Sequence, residues 1–365
     1  MKKLTIILLW IFSLISAQVG PAKELHRNPP RAWALTNATI HASPGKTIVN
    51  GTVVMRDGMI TSVGSDVKIP KQATIRDMEG KHIYAGFIES WLDVNTIKKD
   101  TSLQAHWNSN MRAYLKAADL FHPKDKELRD LRALGFTTAH ITPKGGIFQG
   151  QSALVQLGKT PKVLSENIAQ VIEFASSGWG SREYPTSLLG VIAFIRQGFY
   201  DATWYEKTGN ILAKYPDGNE PIQKDRSLEA LSSGKGKKQP FVFRTNNELY
   251  IDRSENIADE FDLNFWIRGN GYEYRRIDQM PASFMIVPLN FPGKPDVADP
   301  YQALQYTTEQ LKHWDMAPDN LAKLVAAGFQ VALTGSDLKN KKDFQKNLSR
   351  SINRGLNESD ALAAL

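Results

Sequence analysis

From Ala32 to Lys81 apolar and polar residues alternate in short runs, ALTNATIHA, TIVNGTVVMR, MITSVG and ATIRD. A period of two predicts half-buried strands. Asp57-Gly58 lies between two of these runs and predicts a hairpin, because both residue types tolerate the left-handed backbone of a two-residue connection. Residues 31–83 therefore read as a small all-β unit, the N-terminal portion of a β-sandwich. After Tyr84 the rhythm changes. Strand-like runs HIYAGFIES, GFTTAHITP, PFVFRTNN, NFWIRG, ASFMIVPLN and FQVALTGSD are separated by stretches of helical period, KDKELRDLRALG, ENIAQVIEFASS, SENIADEFD and PDNLAKLVAAG. Repeated strand-then-helix units predict a parallel sheet, and their number over 84–365 predicts an α/β fold closed into a (β/α)8 TIM-like barrel.

Such barrels place their chemistry at the C-terminal strand ends. That rule selects Glu89 to Asp93, His140 to Lys144, Arg244 to Asn247, Arg268 to Gly271, Asn290 to Phe291 and Gly335 to Asp337.

The extreme N-terminus changes the setting. Lys2 and Lys3 precede an apolar run from Leu4 to Ile15 and small residues at Ser16 and Ala17, the layout of a secretory signal cleaved after residue 17. The expected location is exported, periplasmic or extracellular, with no membrane association after cleavage, since the run falls short of the roughly 20 residues that span a bilayer. The chain has no cysteine, which excludes disulfides and thiolate metal sites. Lys and Arg number 45 against 38 Asp and Glu. The densest basic run, Lys235-Gly236-Lys237-Lys238, sits among Ser and Gly and reads as a solvated loop, so no nucleic-acid partner is expected.

One stretch carries a family signature. The run DMEGKHIYAGFIESWLDV, from Asp77 to Val94, resembles the start of the barrel in the amidohydrolase superfamily, particularly exported bacterial members near the imidazolonepropionase-like group. In that family the first barrel strand reads P-G-(F/L)-I-D-x-H-x-H and its two histidines hold a divalent metal. Here Ala85 and Glu89 replace the proline and aspartate, and Trp91 and Asp93 stand at the histidine positions. The resemblance continues through Leu134 to Ala139, Gly146 to Ala153, Ala327 to Asp337 and Gly355 to Leu362. It implies that Asp337 corresponds to the last-strand catalytic and metal-binding aspartate. It also implies that Arg244 stands where the fifth strand places a histidine, and Arg268 or Asn270 where the sixth does.

The replacements remove the chemistry. A bound metal lowers the pKa of water from about 15.7 to about 7, a difference of about 12 kcal/mol. Indole has no lone pair to offer a cation, and a guanidinium repels one. No metal or other cofactor is therefore expected. The residual candidates for a weak hard-cation site are Asp93, Asp337 and Glu89, set against Asp337 capping a helix or pairing with Arg244.

Other motifs lead elsewhere. Gly145 to Ser152 mimics a phosphate loop with Gln for lysine, but Ala153 to Leu157 continues as strand where a helix is required, so the segment reads as a flexible loop over the pocket. His140 reads as a hydrogen-bonded structural residue rather than a general base. His106, His122 and His313 read as surface or packing residues, and no Gly-x-Ser-x-Gly elbow is present. Trp179, Tyr184, Phe199, Tyr200, Trp204, Tyr205 and Tyr215 read as core or interface, although such rings also suit flat organic or sugar rings.

The expected function is an amidohydrolase-like domain, related to hydrolases of non-peptide C–N bonds, that is non-catalytic alone. The sequence stops in helix-like text without the strands that complete the N-terminal unit in relatives. It reads as C-terminally truncated, one half of a longer exported protein whose partner half keeps its metal. Two alternatives stand beside this reading: an active hydrolase using Asp93, Asp337 and Glu89 with a divalent metal, and an exported module binding a small anionic molecule through Arg244 and Arg268.

Overall fold

The computed structural model describes residues 31–94, 105–175, 183–217, 220–236, 238–280 and 283–365; the expected signal over residues 1–17 lies outside them. The chain divides after Ala85 into two compact units. In the first, β1 (Ala32–Ser43) is central, pairing antiparallel with β2 (Lys46–Arg56), which pairs in turn with β3 (Met59–Gly64). Beyond β1, β4 (Thr74–Asp77) and β5 (His82–Tyr84) lie parallel to its two halves. The Asp57-Gly58 turn has φ of 52° and 80°, the left-handed pair that a tight hairpin needs. Ala38, Ile40 and Val53 form a small core. The described strands make one five-stranded sheet.

The run HIYAGFIES, expected as one strand, is broken: β5 ends at Tyr84 and β6 (Phe87–Val94) starts the second unit. Gly86 marks the break. A Cβ there would stand 2.1 Å from Thr137 Oγ1, so a side chain at this crossing would displace the neighbouring strand.

The second unit is mixed α/β. A four-stranded sheet has the order β10 (Lys162–Ser165), β9 (Ala153–Gln156), β7 (Phe136–Pro143), β6. A six-stranded sheet has the order β15 (Gln330–Thr334), β14 (Phe284–Pro288), β13 (Phe265–Arg268), β12 (Phe241–Arg244), β11 (Gln170–Glu173), β8 (Phe148–Gln151). β6 and β7 are parallel, as are β11 through β15, while β8 and β9 run antiparallel to their partners. The helices Asp125–Ala133, Leu249–Phe261 and Asn320–Ala326 fall where the helical period predicts them.

Two expectations are overturned. Within ENIAQVIEFASS, Gln170–Glu173 is strand, not helix. Val171 packs beside Trp91 on one face, and Ile172 and Phe174 join the main core on the other. A strand covered on both faces reads as an unbroken apolar run that periodicity cannot separate from helix. The expected flexible loop at Gly145 to Ser152 contains buried β8, with Phe148 and Gln149 fully enclosed.

The two sheets are tied where the first half of β6 meets the end of β15. Thr334 Oγ1 donates to Glu89 Oε1 at 2.5 Å and lies 3.1 Å from Trp91 O. One residue earlier on each strand, Leu333 N donates to Ala364 O and Ile88 N to Leu365 O, so the two residues that follow the helix Glu358–Ala363 bridge the strands.

Candidate functional site at the strand ends

Along β6 the alternation of side chains puts Glu89, Trp91 and Asp93 on one face. Trp91 is fully buried among Ala169, Val171, Val242 and Ile286 from β11, β12, β14 and the segment before β11. Two cations lie near its indole, with Arg244 Cζ 5.9 Å and Arg268 Cζ 5.8 Å from the ring centre, within cation–π range. Trp91 Nε1 donates to Asp93 Oδ1 at 2.8 Å. A side chain with no lone pair thus fills the middle of the strand ends and spends its one polar atom on the neighbouring carboxylate.

Every carboxylate here has a cation or a set of donors. Asp93 receives Arg244 Nη1 at 3.2 Å and lies 3.4 Å from Lys144 Nζ. Arg244 Nε is 3.8 Å from Glu173 Oε1, and Glu173 Oε2 accepts from Gln149 Nε2 at 2.5 Å. Arg268, 2% exposed, donates to Asp337 Oδ2 at 2.5 Å, to Ser336 Oγ at 2.9 Å and to the Gly269 carbonyl. Burial works to raise the Asp337 carboxyl, but the charge and hydrogen bond of Arg268, with the charges of Arg244 and Lys341, together outweigh it and hold the group below its ordinary range.

Glu89 serves the scaffold. It is 1% exposed and accepts from Thr334 Oγ1, Gly335 N and Trp91 N. Burial pushes its carboxyl up, against the pull of those three donors.

The arrangement revises the expected roles. Asp337 pairs with Arg268, whereas Arg244 takes Asp93 and Glu173. Arg244 and Arg268, expected to hold an anionic ligand, already hold internal carboxylates. Asp93, Asp337 and Glu89 do not converge; among the described residues no three His, Asp or Glu side chains are grouped to hold a metal ion. The donor set does not fit a divalent cation, because the two arginines occupy the electrostatic position that a cation would take.

His140 is buried. Its Nδ1 bonds the Ser90 carbonyl at 3.0 Å and its Nε2 meets Ser152 Oγ at 2.7 Å. A carbonyl only accepts, so Nδ1 carries the proton and Ser152 donates to Nε2. Burial lowers its pKa to about 4. Both nitrogens are engaged inside the protein, the structural role expected of it. His313 stacks on Tyr272 with ring centres 3.7 Å apart, and His106 pairs with Asp225. Trp179 lies outside the described residues.

Glu173 and Gln149 were not among the expected site residues, since one sat in text read as helix and the other in text read as loop. The available signal was a polar residue closing the β-branched pair Val171-Ile172.

Among solved structures, an amidohydrolase from Thermotoga maritima MSB8 matches with a TM-score of 0.70 at 20% identity, over 90% of this chain and 85% of that one. The fold is that of an amidohydrolase. A second amidohydrolase structure matches with a TM-score of 0.51 at 11% identity, over 91% of this chain and 85% of that one. No family model and no curated protein matches the sequence. Within this amidohydrolase fold the strand-end residues that differ from the expected ligand pattern, Trp91, Asp93, Arg244 and Arg268, contact one another or share carboxylate partners.

Proposed function

We propose that this chain is a non-catalytic amidohydrolase-like module, descended from hydrolases of non-peptide C–N bonds, whose strand-end site has become a structural ion-pair cluster. The carrying observation is the indole of Trp91 within cation–π range of both Arg244 and Arg268, with Asp93 and Asp337 each bound to one of those guanidiniums. Two tethered monovalent cations balance the carboxylates and leave them no capacity to attract a metal. Without a bound ion to acidify water, hydroxide at neutral pH is not supplied.

In this reading β6, β7, β8 and β11 through β15 form a ring of the (β/α)8 type with β8 reversed in the third place. The ties from Glu89 and Thr334 support closure between β15 and β6. The module is exported by the leader over residues 1–17 and works beside a metal-competent amidohydrolase partner or domain, which it packs against and stabilises. Among the described residues no helix is long and apolar enough to cross a membrane.

Metal analysis tests this. Purified protein exposed to zinc and manganese and then desalted is expected to retain only trace metal and to hydrolyse neither acyl-amino acids nor dipeptides. A stoichiometric ion, lost together with activity in Asp337→Asn, would defeat the reading.

A further inference from the structure

A cavity that shares no residue with the strand-end site lies between the segment at 105–107, the middle of the helix Leu188–Lys214 and the start of the helix Arg226–Gly236. Its volume is about 630 Å³, within the usual range for small-molecule sites. Two indoles stand at it in the open: Trp107 is 76% exposed and Trp204 57%. Tyr205 adds a third ring, partly buried, with its hydroxyl 3.4 Å from the Asp225 amide. Large aromatic side chains cost free energy when left in water, and their concentration at one concave place marks a surface shaped for contact.

The polar lining is ordered. His106, whose side chain is 5% exposed, donates from Nδ1 to Asp225 Oδ2 at 2.7 Å. The same carboxylate's Oδ1 caps the helix Arg226–Gly236 by accepting from Ser227 N and Leu228 N. The imidazole is therefore fixed in orientation and tautomer, with Nε2 as its acceptor atom, and no described residue hydrogen-bonds that atom. Asp201, one turn before Trp204 and Tyr205, accepts from Gln197 through Oδ1, which leaves Oδ2 as a further acceptor. The charges are Asp201 and Asp225 against Lys224, which lies 3.9 Å from Glu229. The lining thus offers flat rings and hydrogen-bond acceptors with no excess of positive charge.

We infer that this cleft binds a neutral saccharide, its pyranose C–H faces against Trp107 and Trp204 and its hydroxyls donating to His106 Nε2 and the Asp201 carboxylate. A sugar ring is the ligand class that presents an apolar face and several hydroxyl donors at once. An anionic ligand would meet two carboxylates, and a purely aromatic one would make no use of the Asp201 carboxylate.

Isothermal titration with neutral pentasaccharides tests it, using cello-, xylo-, manno-, malto- and chitopentaose on the intact protein. At least one is expected to bind, with affinity falling at least tenfold in Trp204→Ala and in Trp107→Ala, and severalfold in His106→Ala. Both indoles are exposed, so these two variants should keep the parent's circular dichroism and melting temperature. The inference is overturned if none of the five binds at millimolar concentration, if binding is unchanged in both tryptophan variants, or if only acidic sugars bind.

Discussion

Arg268 Nη2 reaches Asp337 Oδ2 at 2.5 Å, from the end of β13 to a residue three positions past the end of β15, across the intervening strand β14. The pair joins two strands that share no backbone ladder, and its arginine is almost wholly buried. An internal cation here acts as a tie between strand ends, where the resemblance to amidohydrolases would place ligands to a metal.

Replacing Arg268 by Ala strands a partly buried carboxylate and is expected to cost about 3 kcal/mol, the lower end for a broken buried pair because Asp337 keeps some contact with water. Asp337→Asn should cost less, and the double variant less than the sum of the two. The contribution of the pair is present above the ordinary carboxylate pKa and is lost as pH falls through the lowered value of Asp337. Urea denaturation of the four proteins at pH 7 and at acidic pH measures both effects, and strict additivity would contradict the coupling.

Glu89 holds three donors from β6 and the end of β15. Glu89→Ala leaves Thr334 Oγ1, Gly335 N and Trp91 N without their acceptor, at about 1 kcal/mol or more for each buried group. A loss of roughly 3 kcal/mol is expected, and amide exchange at Gly335 and Trp91 should quicken more than elsewhere. Uniform protection across the second unit in the variant would show that the carboxylate does not tie these strands.

His140 supplies a pH dependence of opposite origin. Its folded pKa of about 4 lies below the ordinary 6.5, so the unfolded chain binds the proton more readily. No penalty applies above pH 6.5, and stability falls as pH drops from there to about 4, by roughly 3 kcal/mol for this depression. His140→Gln should be less stable at neutral pH and show a shallower decline between those values. An NMR titration placing the imidazole near its ordinary pKa would refute the assignment.

Much of the scaffold was written locally. The alternation before Lys81, the Asp57-Gly58 turn and the helical period of Asp125–Ala133 and Leu249–Phe261 each depend on neighbours a few residues apart, and period and turn chemistry are local properties. The sequence also determined that indole, carboxylate and guanidinium stand at positions 91, 93, 244 and 268, and with them the poverty of metal donors. What it could not determine was the pairing. Arg244 has carboxylates within reach on two strands, and only the register of β12 against β11 puts Glu173 beside it, with Asp93 close enough to share. The strand β11 was itself hidden, because burial on both faces erases the alternation that announces a strand. Which acid meets which base depends on distances across residues 70 to 150 positions apart in the chain. Those distances come into being only when the strands are laid side by side.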